Sequence, residues 1–100
     1  VMIDIGRELQ VVLNTGKIAI GSNRAIKSII NGSAKLAILA ANAPAEVRQE
    51  VEYYAKLNQT PIFVYPGSSW ELGAAMRKPY KVALLAVLEP GESNILELIR

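Results

Sequence analysis

One hundred residues, 51% of them hydrophobic, suffice for a single domain with a genuine core, spanning residues 1–100. The chain has no histidine and no cysteine, which removes disulfides, the usual zinc sites, the Ser-His-Asp and Cys-His nucleophile systems and the commonest general base. The formal charge is +2, too small to demand a polyanionic partner, and no apolar stretch approaches the roughly 20 residues that cross a bilayer.

In chain order, Ile5, Leu9, Val12 and Leu13 recur at helical spacing, and Asn14-Thr15-Gly16 ends that helix. The acids Asp4 and Glu8 and the cation Arg7 interrupt any apolar signal region here. Lys17-Ile18-Ala19-Ile20 is a short strand. A second helix covers residues 23–30, with Ala25, Ile26, Ile29 and Ile30 as its buried stripe and Asn31-Gly32 closing it. Residues 35–40 are apolar without alternation, which predicts a strand buried on both faces. Ala43-Pro44 opens a third helix, with proline in its first turn and Val47, Val51, Tyr54 and Leu57 turned inward. Residues 61–65 form a third strand, and Ser68 or Ser69 caps a short helix running to about Met76. A last buried strand, residues 82–88, stops at Glu89-Pro90-Gly91. Alternation of this kind predicts a three-layer α/β/α sandwich around a sheet of about four strands.

The charges are segregated along the chain. Residues 15–45 hold Lys17, Arg24, Lys27 and Lys35 with no acid, and residues 76–88 hold Arg77, Lys78 and Lys81 with none. A one-sided basic face and an ordinary solvated surface both fit this distribution. The segment Gly21-Ser22-Asn23-Arg24-Ala25-Ile26-Lys27 narrows the choice. A glycine ends a strand, and a helix begins with an amide side chain and two cations near its first turn, where unpaired N–H groups favour an anion.

Reactive centres are scarce by comparison. Thr15-Gly16-Lys17 lacks the earlier glycine and the following helix of a phosphate-binding loop. Glu46, Glu50, Arg48 and Glu52 lie one helical turn apart in pairs and read as a charged face. Asn31-Gly32-Ser33 and Asn58-Gln59-Thr60 read as turns. Tyr53, Tyr54 and Tyr65 read as core or core-edge residues. Tyr80 stands among cations in Arg77-Lys78-Pro79-Tyr80-Lys81, where it either tucks under its own loop or grips an unstacked base. Trp70, near the start of the short helix, reads either as an exposed contact or, as is commoner for a single tryptophan, as a packing anchor, and no function is assigned to it.

Several stretches together resemble one family. They are residues 15–27, Ala34-Lys35-Leu36-Ala37-Ile38-Leu39-Ala40-Ala41-Asn42-Ala43-Pro44, Glu52-Tyr53-Tyr54-Ala55, Glu71-Leu72-Gly73 and Glu89-Pro90-Gly91-Glu92-Ser93. They look like the archaeal and eukaryotic large-subunit ribosomal L-thirty-e family, within a wider kink-turn-binding group that includes ribosomal L-seven-Ae proteins. The resemblance implies an α/β/α sandwich with a mixed sheet, a structural role in the cytoplasmic ribosome, no cofactor, and a monomer when free. Its partner would be a kinked internal loop of ribosomal RNA.

Carried over by position, the wider group's RNA-reading element falls on Gly21, Ser22, Asn23, Arg24 and Lys27. Arg24 departs from it, standing where L-seven-Ae-type proteins have an acid, which favours the L-thirty-e branch. Asn42 matches a second RNA-facing loop. Tyr80, flanked by Arg77, Lys78 and Lys81, matches an aromatic of the third. Two other function classes remain beside the ribosomal one. One is a kink-turn binder of a guide-RNA or RNase P type particle. The other is a small enzyme acting on nucleotides or RNA, which the missing histidine, cysteine and phosphate motifs oppose.

Overall fold

The apolar spacing of the first segment is realised as helix α1 (Ile5–Thr15), which buries Leu9 and Val12. Asp4 caps it, its side chain accepting a hydrogen bond from the Arg7 N–H at 3.2 Å. The computed structural model describes residues 4–99. After α1 come β1 (Lys17–Ile20), α2 (Ser22–Ile30), β2 (Leu36–Ala40), α3 (Ala45–Asn58), β3 (Ile62–Tyr65), α4 (Ser69–Ala75) and β4 (Leu84–Glu89). A 3-10 turn, Ile95–Ile99, follows and was not foreseen.

The four strands make one mixed sheet in the order β1-β4-β2-β3. β4 runs antiparallel to both β1 and β2, while β2 and β3 are parallel. β2 is buried along its whole length, as its unbroken apolar run predicts. Its side chains divide between two cores. Leu36, Ile38 and Ala40 face α1 and α4, meeting Leu9, Val12, Leu72 and Met76. Ala37 and Leu39 face α2 and α3, meeting Ile26, Ile29, Val51 and Ala55. The three layers are therefore α1 and α4, the sheet, and α2 and α3.

Four expectations are corrected. Ile30 is 48% exposed, because the inner face of α2 is already filled by Ala25, Ile26 and Ile29. Leu57 is 62% exposed, because Ala55, four residues after Val51, takes the inward position. Tyr53 lies outside the core at 61% exposure, edge-on to the half-buried Tyr54 with ring centroids 5.1 Å apart. Pro44 stands at the N-cap of α3 rather than inside its first turn. Strand boundaries also move: β3 begins at Ile62 rather than Pro61, and β4 runs on to Glu89. Lys35 precedes β2, and β4 begins at Leu84 because the Val82 N–H donates to the Ser69 carbonyl instead of entering the ladder.

Candidate RNA interface

Strand register decides which loops meet. Ile20 pairs with Leu85, Leu39 with Leu84, and Ala40 with Tyr65. The last residues of β1, β2 and β3 thus lie at the same end of the sheet as the first residues of β4. The loops leaving β1, β2 and β3 and the loop entering β4 must all emerge there. Residues 21–24, 41–44, 66–70 and 77–83, scattered in sequence, form one surface.

The β1–α2 junction turns on Gly21. Its φ of +102° lies where side chains rarely go, while a Cβ there would meet nothing within 4 Å. Conformation, not crowding, calls for glycine. Its N–H donates to the Leu84 carbonyl at 3.0 Å, and its carbonyl accepts from Ala25 at 2.9 Å. Gly21 is also the N-cap of α2 and supplies no side-chain acceptor, so the first-turn N–H groups are left for another partner. Asn23 is the second residue of the helix, not its cap, and is exposed with Arg24. Lys27, four residues on and also exposed, shares a face with Asn23 about 6 Å back along the axis.

Asn42 does structural work besides facing outward. Its Oδ1 accepts from the Ser69 N–H at 2.8 Å, bridging the β2–α3 loop to the start of α4. The Ser69 carbonyl accepts from the Val82 N–H at 3.0 Å, and the Ala41 N–H donates to the Gly67 carbonyl at 3.0 Å. Three loops are therefore tied through one buried serine, 7% exposed. Helix α4 starts with a full capping box: the Glu71 N–H donates to Ser68 Oγ, and the Ser68 N–H to Glu71 Oε1.

The loop after α4 carries the remaining candidates. Lys78 donates from its N–H to the Gly73 carbonyl and Arg77 to that of Ala74, both at 2.9 Å, the paired bonds of a left-handed helix exit. Arg77 holds φ +58° in the position that glycine usually fills. A Cβ on Gly73 would overlap the Tyr80 carbonyl oxygen, so that glycine allows the loop to lie against α4. Tyr80 itself is 47% exposed, so its side chain is not enclosed by its own loop. A groove of about 390 Å³ separates α2 from α4, with Gly21, Asn42, Trp70 and Lys81 among its lining residues.

Comparison with known proteins now bears on this surface. Residues 4–97 match the model of the ribosomal protein L7Ae/L30e/S12e/Gadd45 family. The chain belongs to that family. Among its relatives is the large ribosomal subunit protein eL30 of Pyrobaculum calidifontis, 58% identical over 98 residues, covering 98% of this chain and 97% of that one. The protein of the same name from Methanopyrus kandleri is 46% identical, covering 99% and 91%. A solved structure of a protein of unknown function from Bacillus halodurans matches with a TM-score of 0.83 at 21% identity, covering 98% of each chain, and shows the fold alone.

All ten residues singled out in the sequence lie on three of the four converging segments or, for Lys27, on the same face of α2. Lys17 and Lys35 do not. Lys17 pairs with Glu89 at the far end of β4, about 17 Å from Leu84 by strand rise, and the Lys35 N–H donates to the carbonyl of Val87, about 10 Å along the same strand. Of the basic stretch at residues 15–45, only Arg24 and Lys27 reach this surface. Of the two readings of Trp70, the exposed one holds over the packing anchor: it is 60% exposed and lines the groove. Among the described residues no group of three or more acidic, histidine or cysteine side chains could hold a metal, and no helix is long and apolar enough to cross a membrane.

Proposed function

We propose that the protein is a structural component of the large ribosomal subunit and that this end of the sandwich binds a kink-turn of ribosomal RNA. The observation that carries the reading is the convergence, fixed by strand register, of the α2 N-terminus, the Asn42 loop and the Tyr80 loop on one surface. Arg24, Lys27, Arg77, Lys78 and Lys81 surround it, and the family membership and the names of the relatives point the same way.

The parts divide the labour. The first-turn N–H groups of α2, with Arg24 and Lys27, receive phosphates on one side of the bend, and the residues 77–81 loop receives them on the other. These contacts position the RNA without reading it. Asn23, with its amide at the helix start, reads a base edge. Asn42 spends Oδ1 on Ser69 and so presents Nδ2 as an outward donor. Tyr80 offers an exposed ring face, stiffened by Pro79 before it, to an unstacked base. No bond is made or broken. The free energy of binding is used to hold the RNA bent.

Co-sedimentation with large ribosomal subunits, followed by footprinting of the protein on their RNA, tests the reading. Protection of a single kinked internal loop is expected. A protein that stays off the large subunit yet protects a kinked loop in another RNA would place it in a different ribonucleoprotein particle.

A further inference from the structure

We propose that Trp70 and Lys81 form a second stacking platform, separate from Tyr80, for one unpaired nucleotide of the bound RNA. The proposal rests on the RNA-binding reading above and adds a contact to it. Trp70 is the second residue of α4 and is 60% exposed, and its ring belongs to neither hydrophobic core. An exposed indole beside a groove has a ring surface on which a planar ligand can stack. Lys81 reaches across from the following loop and sets its Nζ 5.6 Å from the ring centroid, a cation–π contact that orders both side chains. The groove beside them, about 390 Å³, falls within the range of sites for single small molecules. Its other walls include Gly21, Asn42 and Pro44, which place the α2 N-terminus and the Asn42 amide within the same recess.

The chemistry fits one nucleotide. The indole supplies a sequence-tolerant face, the ammonium supplies charge for the attached phosphate, and Asn42 Nδ2 supplies a donor for a base acceptor. An apolar protein surface seated here would have to desolvate the Lys81 ammonium against no acid, at high cost. Tyr80 does not line this groove, so the two rings serve different bases.

Trp70 is the only tryptophan in the chain, so its emission reports on the site alone. A synthetic RNA with two duplex arms around a kinked internal loop is titrated into the protein. A parallel series carries an abasic substitution at each unpaired position in turn. Emission should be quenched on saturation, and the quenching should vanish with one abasic RNA. Trp70→Ala should lower affinity by about 5- to 150-fold on the intact RNA, the range expected for one stacked base. It should have no effect on that same abasic RNA, and Trp70→Phe should recover most of the loss. Binding with unchanged emission and undiminished affinity of Trp70→Ala would overturn the platform and leave the RNA-binding reading standing. Failure of the wild-type protein to bind the RNA at all would overturn both.

Discussion

Asn42 is placed to reveal how far the interface depends on its own scaffolding. Its Oδ1 is the acceptor for the Ser69 N–H at 2.8 Å, and Ser69 is 7% exposed. Asn42→Ala removes that acceptor and leaves a buried donor without a partner, at a cost of about 1–3 kcal/mol. For a domain of this size each kcal/mol moves the melting temperature by roughly 4–8 °C, so a fall of at least about 4 °C is expected. Asn42→Asp keeps the acceptor and adds a charge near the start of α4, so stability should hold or rise slightly. The two variants then part company in their effects. Alanine should lower stability and RNA affinity together. Aspartate should keep stability and lose affinity, since it sets a negative charge toward phosphates and removes the Nδ2 donor. Thermal melts beside RNA titrations measure both. An alanine variant that melts with the wild type would refute the view that this side chain holds the loops together.

Three further outcomes follow from the same geometry. Asn23→Ala should leave the melting temperature almost unchanged, because Gly21 and not Asn23 caps α2, while RNA affinity falls by about 1–3 kcal/mol if its amide reads a base; a large loss of stability with intact binding would contradict this. Arg77→Gly should stabilise the fold by up to about 1 kcal/mol, since Arg77 holds φ +58° where glycine is at ease, and should weaken RNA binding by removing a cation; a urea melt and a gel shift check the two halves. Tyr80→Ala should cost about 1–3 kcal/mol of RNA affinity and Tyr80→Phe little, because stacking uses the ring face; equal losses in both would assign the work to the hydroxyl instead.

Much of the architecture was legible because it rests on strong local signals. The apolar run of β2 announced a strand covered on both faces, and the serines at 68 and 69 marked the start of α4, though only the structure shows that Ser68 caps it, paired with Glu71. Burial was harder at helix ends. Ile30 and Leu57 were drawn inward by their hydrophobicity, whereas Ala55, whose small side chain gives a weak signal, takes the inner place. Val82 was rightly read as buried, yet its N–H serves Ser69 rather than the sheet, a distinction that only tertiary contact makes. The strand order was out of reach, since it depends on β4 inserting between β1 and β2 at long range. At the interface, the resemblance and the charge pattern picked out residues that do converge. They could not show that Lys17 and Lys35 point to the other end, that Asn42 braces Ser69, or that Trp70 stays in water. Each of these follows from register or packing rather than from neighbours in sequence.

The central claim is specific recognition of bent RNA by one end of the molecule. It is tested most directly by titrating a kinked internal-loop RNA, labelled at both ends for energy transfer, against a fully paired duplex of equal length, across a series of salt concentrations. The account predicts tighter binding of the kinked RNA, approach of its labelled ends on saturation, and affinity that falls steeply with salt. Lys81→Gln should reduce the salt slope by about one, and Lys17→Gln, at the far end of the sheet, should leave it unchanged. Equal affinity for the paired duplex, with no approach of the ends, would contradict it.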